Sequence, residues 1–124
     1  CDGLNKLKKF LEKNTTWAQN RTIKELRKCL ANSDVIVSIW QEKEILGFGR
    51  AISDGIYRCV LWDIVIDQNY QGKGYGTIIV NSLLKDKKVN KTKKIYLMTS
   101  NKKDFYKQFN FKEVFSQDLL VREI

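Results

Sequence analysis

Leu4, Leu7, Phe10 and Leu11 recur at the 3.6-residue period of an amphipathic helix. DGLNKLKKFLEKN is therefore expected to be helical, with Asp2 as its N-cap. A second helix is expected to open at Thr22, where TIKE sets Glu25 three residues on in a capping box, and Ile23, Leu26 and Leu30 share its apolar face. Asn32 and Ser33 end it. From Val35 the period shortens to that of strands. VIVSIW is β-branched and aromatic, QEKE is a polar turn, and ILGFGRAIS returns antiparallel. Asp54-Gly55 supplies the next tight turn, and YRCVLWDIVI, Tyr57 to Ile66, is the third strand of the meander.

After a glycine-rich stretch the helical period resumes. Tyr75, Ile78, Ile79, Leu83 and Leu84 line one side, and Asn81, Ser82, Lys85 and Asp86 the other. KIYLMT, Lys94 to Thr99, reads as a strand, so strand, helix and strand form one βαβ crossover and run parallel. A short helix, NKKDFYKQF, and a strand pair within FKEVFSQDLLVREI complete the pattern. The expected class is α+β: a mixed, mostly antiparallel sheet with one parallel crossover and helices on both faces, in one domain spanning residues 1–124.

Composition narrows the chemistry. The 124 residues are 43% apolar and 30% charged, enough for one real core. No run approaches the roughly 18 apolar residues of a membrane span, and no signal-peptide h-region follows the Lys-rich start, so a soluble protein is expected. The chain begins at Cys1 without Met, which reads as processing or a cut boundary. Cys1, Cys29 and Cys59 are too scattered for a metal motif or a disulfide framework and point to a reducing compartment. Histidine is absent, which excludes Ser/His/Asp and Cys/His nucleophilic systems and leaves proton transfer to carboxylates, Tyr, Lys, thiols or water. The net charge of +9 is concentrated from Lys85 to Lys94 and at Lys102, Lys103, Lys107 and Lys112. Most of it reads as a solvated face, and part would suit an acidic partner or a polyphosphate.

The stretch DQNYQGKGYGT matches neither GxxxxGK[ST] nor GxGxxG. Its spacing is QxxGxG, Gln71 through Gly76, between a buried strand and a helix N-terminus. Glycines let backbone amides converge on one point, and the helix dipole adds about half a positive charge there, so the loop reads as an anion cradle.

The segment from Trp62 to Gly76, the YLMTSN strand end and the later DFYKQFNF together resemble the GCN5-related N-acetyltransferases (GNAT), over roughly Ile45 to Val114. The W…R…K…L…NS pattern from Trp17 to Ser33, GFGRAISD and WDIVID resemble more narrowly its plastid and cyanobacterial branch, which includes plant serotonin N-acetyltransferases and chloroplast protein acetyltransferases. The resemblance implies that Gln71, Gly72, Lys73, Gly74, Tyr75, Gly76 and Thr77 hold the pyrophosphate of acetyl-CoA. It implies that Ile64, Val65 and Ile66 pair with the pantetheine arm, an N–H near Ile66 polarising the thioester carbonyl, and that Asn101 contacts pantetheine. Tyr106, in the place of the Tyr of FYxxxGF, would lie beside the sulfur. Three departures stand out: Gln68 where the family commonly has Pro, Asn110 where FYxxxGF has glycine, and a first family strand that would fall before Cys1.

Acetyl transfer to an amine needs an acceptor for the amine's proton and a donor for the thiolate. Asp63 interrupts an apolar strand on the face read as shared with Leu61 and Val65, and is the candidate base. The Tyr106 phenol is the candidate acid, with Phe105 and Phe109 as the core pair beside it. Trp17, Trp40, Trp62 and Tyr96 are candidates to line a pocket for an aryl amine. The expected activity is an acetyl-CoA-dependent N-acetyltransferase without metal, acting on an arylalkylamine or a protein amine. A non-enzymatic basic module, binding CoA or nucleic acid, is the alternative. The expected partners are that amine and a second copy of the chain, with no specific nucleic acid and no membrane. The expected location is the cytoplasm, or the plastid stroma in an organelle.

Overall fold

The computed structural model describes the backbone of residues 2–124 and the side chains of residues 3–124. α1 spans Asp2–Asn14. Asp2 is itself helical, and the capping expected of its side chain lies outside the described residues. α2 spans Ile23–Ala31, and its capping box forms in both directions: Glu25 N–H donates to Thr22 Oγ1 at 3.0 Å and Thr22 N–H to Glu25 Oε1 at 2.9 Å.

Four strands follow the expected meander: β1 (Val35–Gln41), β2 (Glu44–Ser53), β3 (Arg58–Ile66) and, after helix α3 (Tyr75–Lys85), β4 (Lys94–Tyr96). They lie in the order β1-β2-β3-β4, antiparallel except for the parallel pair β3 and β4. α4 spans Lys103–Lys107. The expected mixed sheet with helices on both faces is thus present, as is the parallel crossover.

Each sheet face carries its own core. Leu7, Phe10, Leu11 and Leu26 of α1 and α2 pack with Ile45, Phe48 and Val65. Ile79 and Leu83 of α3, with Val89 beyond it, pack on the other face with Val35, Ala51, Cys59 and Leu61. α3 can sit this close because β2 has glycines beneath it. A Cβ on Gly47 would meet Ile79 Cδ1 at 2.7 Å, and one on Gly49 would meet Ile79 Cγ2 at 2.8 Å. Docking over these glycines centres Ile79 and Leu83, turning Ile78 out to 51% exposure and Val80 fully inward. The face expected from periodicity, with Ile78 buried, is therefore rotated by about one residue.

A bulge in β3 changes the face of every residue beyond it. β3 advances from Trp62 to Val65 while β2 retreats only from Arg50 to Phe48, and Asp63 takes the extra position at φ 55°. Leu61 therefore faces α3 whereas Val65 faces α1, correcting the expectation that the two share a face with Asp63.

Three expected strands are shortened or missing. β4 ends at Tyr96 rather than Thr99. No strand forms in residues 111–124, where Phe115, Leu119, Leu120 and Val121 stand exposed. A hairpin holds only with one face covered, and the side chains of Phe115, Leu119, Leu120 and Val121 stand in solvent.

Both internal departures from the family pattern have a structural account. Gln68 N–H donates to Asn14 Oδ1 at 3.0 Å, tying the 3-10 turn Gln68–Tyr70 to the end of α1, and proline has no such hydrogen to give. Asn110 sits at φ 70°, the left-handed conformation that glycine adopts most easily. Asn110→Gly is expected to raise stability by up to about 1 kcal/mol, read as a higher urea midpoint at unchanged m-value.

Candidate active site

The cleft exists because β3 outlasts its parallel neighbour. Pairing with β4 ends at Val60 opposite Tyr96, while β3 runs on to Ile66 paired only with β2. Residues 61–66 form one wall and Leu97 to Lys102 the other, enclosing an open cleft of about 1220 Å³. On its β4 side this stretch of β3 has no strand partner among the described residues. That leaves main-chain donors and acceptors free to pair with an extended amide-bearing ligand.

At one end of the cleft stands the glycine loop. Gly72 and Gly74 have φ 77° and 89°, and a Cβ on either would meet nothing within 4 Å, so glycine here serves the backbone conformation. Gly74 caps α3 without a side-chain hydrogen bond, and the first helical bond runs from Ile78 N–H to Gly74 O at 3.1 Å. The amides of Tyr75, Gly76 and Thr77 therefore have no helical acceptor. Gln71 Nε2 donates to Ile66 O at 3.4 Å, fastening the loop to the end of β3. This cradle suits a pyrophosphate: converging amides, a helix N-terminus and open space before them. Gly76 has another use, since a Cβ there would approach Phe105 Cζ at 3.1 Å.

Phe105 and Tyr106 of α4 close the wall beside the loop. Tyr106 is buried, with Phe105 edge-on at 5.0 Å and Phe111 at 6.1 Å. Burial pushes its phenol above the ordinary value, so it keeps its proton throughout the neutral range. Phe105 and Phe109 do pair, at 5.4 Å, but both are less buried than Tyr106, which serves core and cleft together.

At the other end Asp63 is doubly engaged. Its Oδ2 accepts from Arg50 Nε at 2.8 Å and from Arg21 Nη1 at 3.2 Å. Arg50 Nη1 also donates to Ser33 Oγ at 3.3 Å, and the Arg21 guanidinium lies 5.6 Å from the Trp17 ring centre. The bulge is what aims Asp63 at these partners. Both arginines escape a reading of the sequence, because they lie 42 and 13 positions from Asp63 and carry no local motif.

Of the residues expected at the site, Asp63, Ile64, Val65, Ile66, Gln71, Gly72, Gly76, Asn101 and Tyr106 line the cleft. Lys73, Gly74, Tyr75 and Thr77 stand off its walls, and Lys73 Nζ is turned over the Tyr70 ring at 5.2 Å. Trp17 and Trp62 reach the cleft, while Trp40 and Tyr96 do not. The Lys85 to Lys94 block begins at the C-terminal end of α3, a helix of 11 residues, so it lies about 16 Å from the cradle. Cys29 and Cys59 are free thiols; Cys59 is sealed in the core, and burial pushes it up to about 11. Among the described residues no group of His, Cys, Asp and Glu could hold a metal, and no helix is long and apolar enough to cross a membrane.

Comparison with known proteins bears on this arrangement. A family model described as the acetyltransferase (GNAT) domain matches residues 32–113. The N-acetyltransferase ycf52 of Pyropia yezoensis, itself uncharacterised, is 31% identical over 96 residues, covering 73% of this chain and 55% of its own length. The GCN5-related N-acetyltransferase 2, chloroplastic, of Arabidopsis thaliana is 40% identical over 45 residues, 36% of this chain and 17% of that protein. This chain thus spans about half or less of these relatives. A solved structure from Xanthomonas campestris pv. campestris, described as belonging to the GNAT family, superposes with a TM-score of 0.85 at 20% identity, covering 98% of this chain and 85% of that one.

Proposed function

The chain belongs to the GNAT acetyltransferase family, and from that premise we propose that it transfers an acetyl group from acetyl-CoA to a primary amine. The observation that carries this reading is the parting of β3 from β4, which opens a cleft from the α3 cradle past Tyr106 to Arg21 and Asp63. Acetyl-CoA supplies an acetyl thioester.

The amides of Tyr75, Gly76 and Thr77, with Gln71 and Gly72, hold its pyrophosphate, and Lys73 adds positive charge beside them. The free edge of β3 at Ile64 to Ile66 pairs with the pantetheine amides, which Asn101 meets from the opposite wall. An amide near Ile66 donates to the carbonyl oxygen as it gains charge. The amine nitrogen attacks the carbonyl carbon, a C–N bond forms and the C–S bond breaks. The nitrogen's proton leaves through water in the open cleft, and the Tyr106 phenol gives its proton to the departing sulfur. We assign Asp63 to holding the two arginines, because both bonds end on its Oδ2. The chloroplast location in the Arabidopsis relative's name supports the plastid stroma as the place of action.

Incubation with acetyl-CoA and a panel of aryl amines, amino acids, polyamines and lysine peptides, followed by mass spectrometry, is expected to yield an acetylated product with release of CoA. Tight CoA binding with no product from any acceptor would sink the reading and leave a CoA-binding module.

A further inference from the structure

The acceptor end of the cleft holds more positive charge than its own carboxylate answers. Asp63 is 6% exposed and meets two guanidiniums, Arg50 at 13% exposure and Arg21 at 31%. One carboxylate against two arginines leaves a unit of positive charge in a partly desolvated place, where an unanswered charge is costly. Glu25 also acts on the Arg21 charge, but from an exposed position where solvent screens it, and its Oε1 accepts from Thr22 N–H in the capping box. The remaining charged residues on the cleft walls are Lys13, which already holds Asp67 at 3.4 Å, and Lys102. Among the described residues no second acid lines the cleft to receive a cationic tail.

We propose that the Arg21 guanidinium, held by Asp63 and stacked beside Trp17, is the receptor for an anionic group on the acceptor, so that the preferred substrate is an amine also bearing a carboxylate or phosphate. Three features on the page converge on this. Arg21 spends one Nη on Asp63 and keeps the rest of its planar fork for a second oxyanion. Arg50 is fixed by both Asp63 and Ser33, so it anchors the clamp rather than competing for the ligand. Trp17 is 56% exposed beside Arg21 and offers an apolar plate to the body of the same acceptor. Polyamines and lysine peptides bring only positive charge to this end and are disfavoured. Asp63 is accordingly a positioning residue that joins the segment between α1 and α2 to the sheet.

The proposal rests on the acetyltransferase reading for its substrate and is tested with and without that activity. Tyrosine and tyramine differ only in the carboxylate. Tyrosine is expected to show a kcat/KM about ten-fold or more above that of tyramine, the value of one charged hydrogen bond. In Arg21→Gln the ratio is expected to fall to about one, with Arg21→Lys retaining part of it; a merely structural role would lower both amines alike. Independently, 3-phenylpropionate, which has no amine to acetylate, is expected to bind in calorimetry, about ten-fold more weakly to Arg21→Gln. Equal kcat/KM for the two amines, or 3-phenylpropionate binding indifferent to Arg21→Gln, overturns the proposal. Arg21-dependent binding with neither amine acetylated would instead uphold the anion site and count against acetyl transfer.

Discussion

Tyr106→Phe is expected to lower kcat about 10²-fold or more while leaving the dissociation constant of CoA unchanged. The substitution removes one oxygen and keeps the ring. The edge-on contacts with Phe105 and Phe111 survive, so the melting temperature should barely move. What is lost is the proton for the departing sulfur, whose thiolate has an ordinary pKa near 8.5. Because burial raises the phenol above its usual value, the wild-type protein keeps this acid protonated across the neutral range, and the alkaline fall in kcat belongs above about pH 10. In the variant that fall should vanish. The stability linkage has the same sign: the unfolded chain loses the Tyr106 proton first, near pH 10, so native stability is unaffected below that and declines as pH rises through the raised folded value. A kcat within two-fold of wild type would mean that water, not Tyr106, protonates the thiolate.

Ile79→Ala is expected to cost about 2–5 kcal/mol of folding stability, a large share of the roughly 5–15 kcal/mol of a typical domain. Ile79 is fully buried, and it lies over Gly47 and Gly49, which have no side chains to collapse into the space left behind. The cavity term should therefore lie toward the upper end. Chemical denaturation gives the loss directly, as a lower urea midpoint at unchanged m-value. The same substitution loosens the helix whose first turn forms the cradle, so CoA affinity should fall with stability although Ile79 touches no ligand. A loss below about 1 kcal/mol would show that the helix can re-dock and that the close approach over the glycines is not its anchor.

The particular elements show where local pattern suffices. The capping box at Thr22 and Glu25 and the glycine loop before α3 depend on residues within a few positions of one another, the β1–β2–β3 meander pairs strands that are neighbours in sequence, and each forms where its pattern lies. Tyr106 is legible through the resemblance of DFYKQFNF to the family's FYxxxGF, whereas its aromatic neighbours alone read as core. The rotation of α3 was not legible. Ile78 and Val80 are equivalent in hydrophobicity, and the choice between them was made by glycines about 30 residues away on β2. The C-terminal strand pair failed because strand pattern needs a covering layer, and sequence pattern carries no information about one. Asp63 could be recognised as anomalous in its strand, but its partners could not be known.

The sequence by itself determined the elements, their order, the parallel crossover and the anion cradle, because helix period, capping and glycine conformations are short-range properties of the chain. Only the tertiary structure decided which way the residues beyond Asp63 face, where β4 leaves β3 to open the cleft, and that Arg21 and Arg50 meet on one carboxylate. A single bulge inverts the alternation of a strand, and an ion pair across 42 positions exists only after the chain has closed on itself.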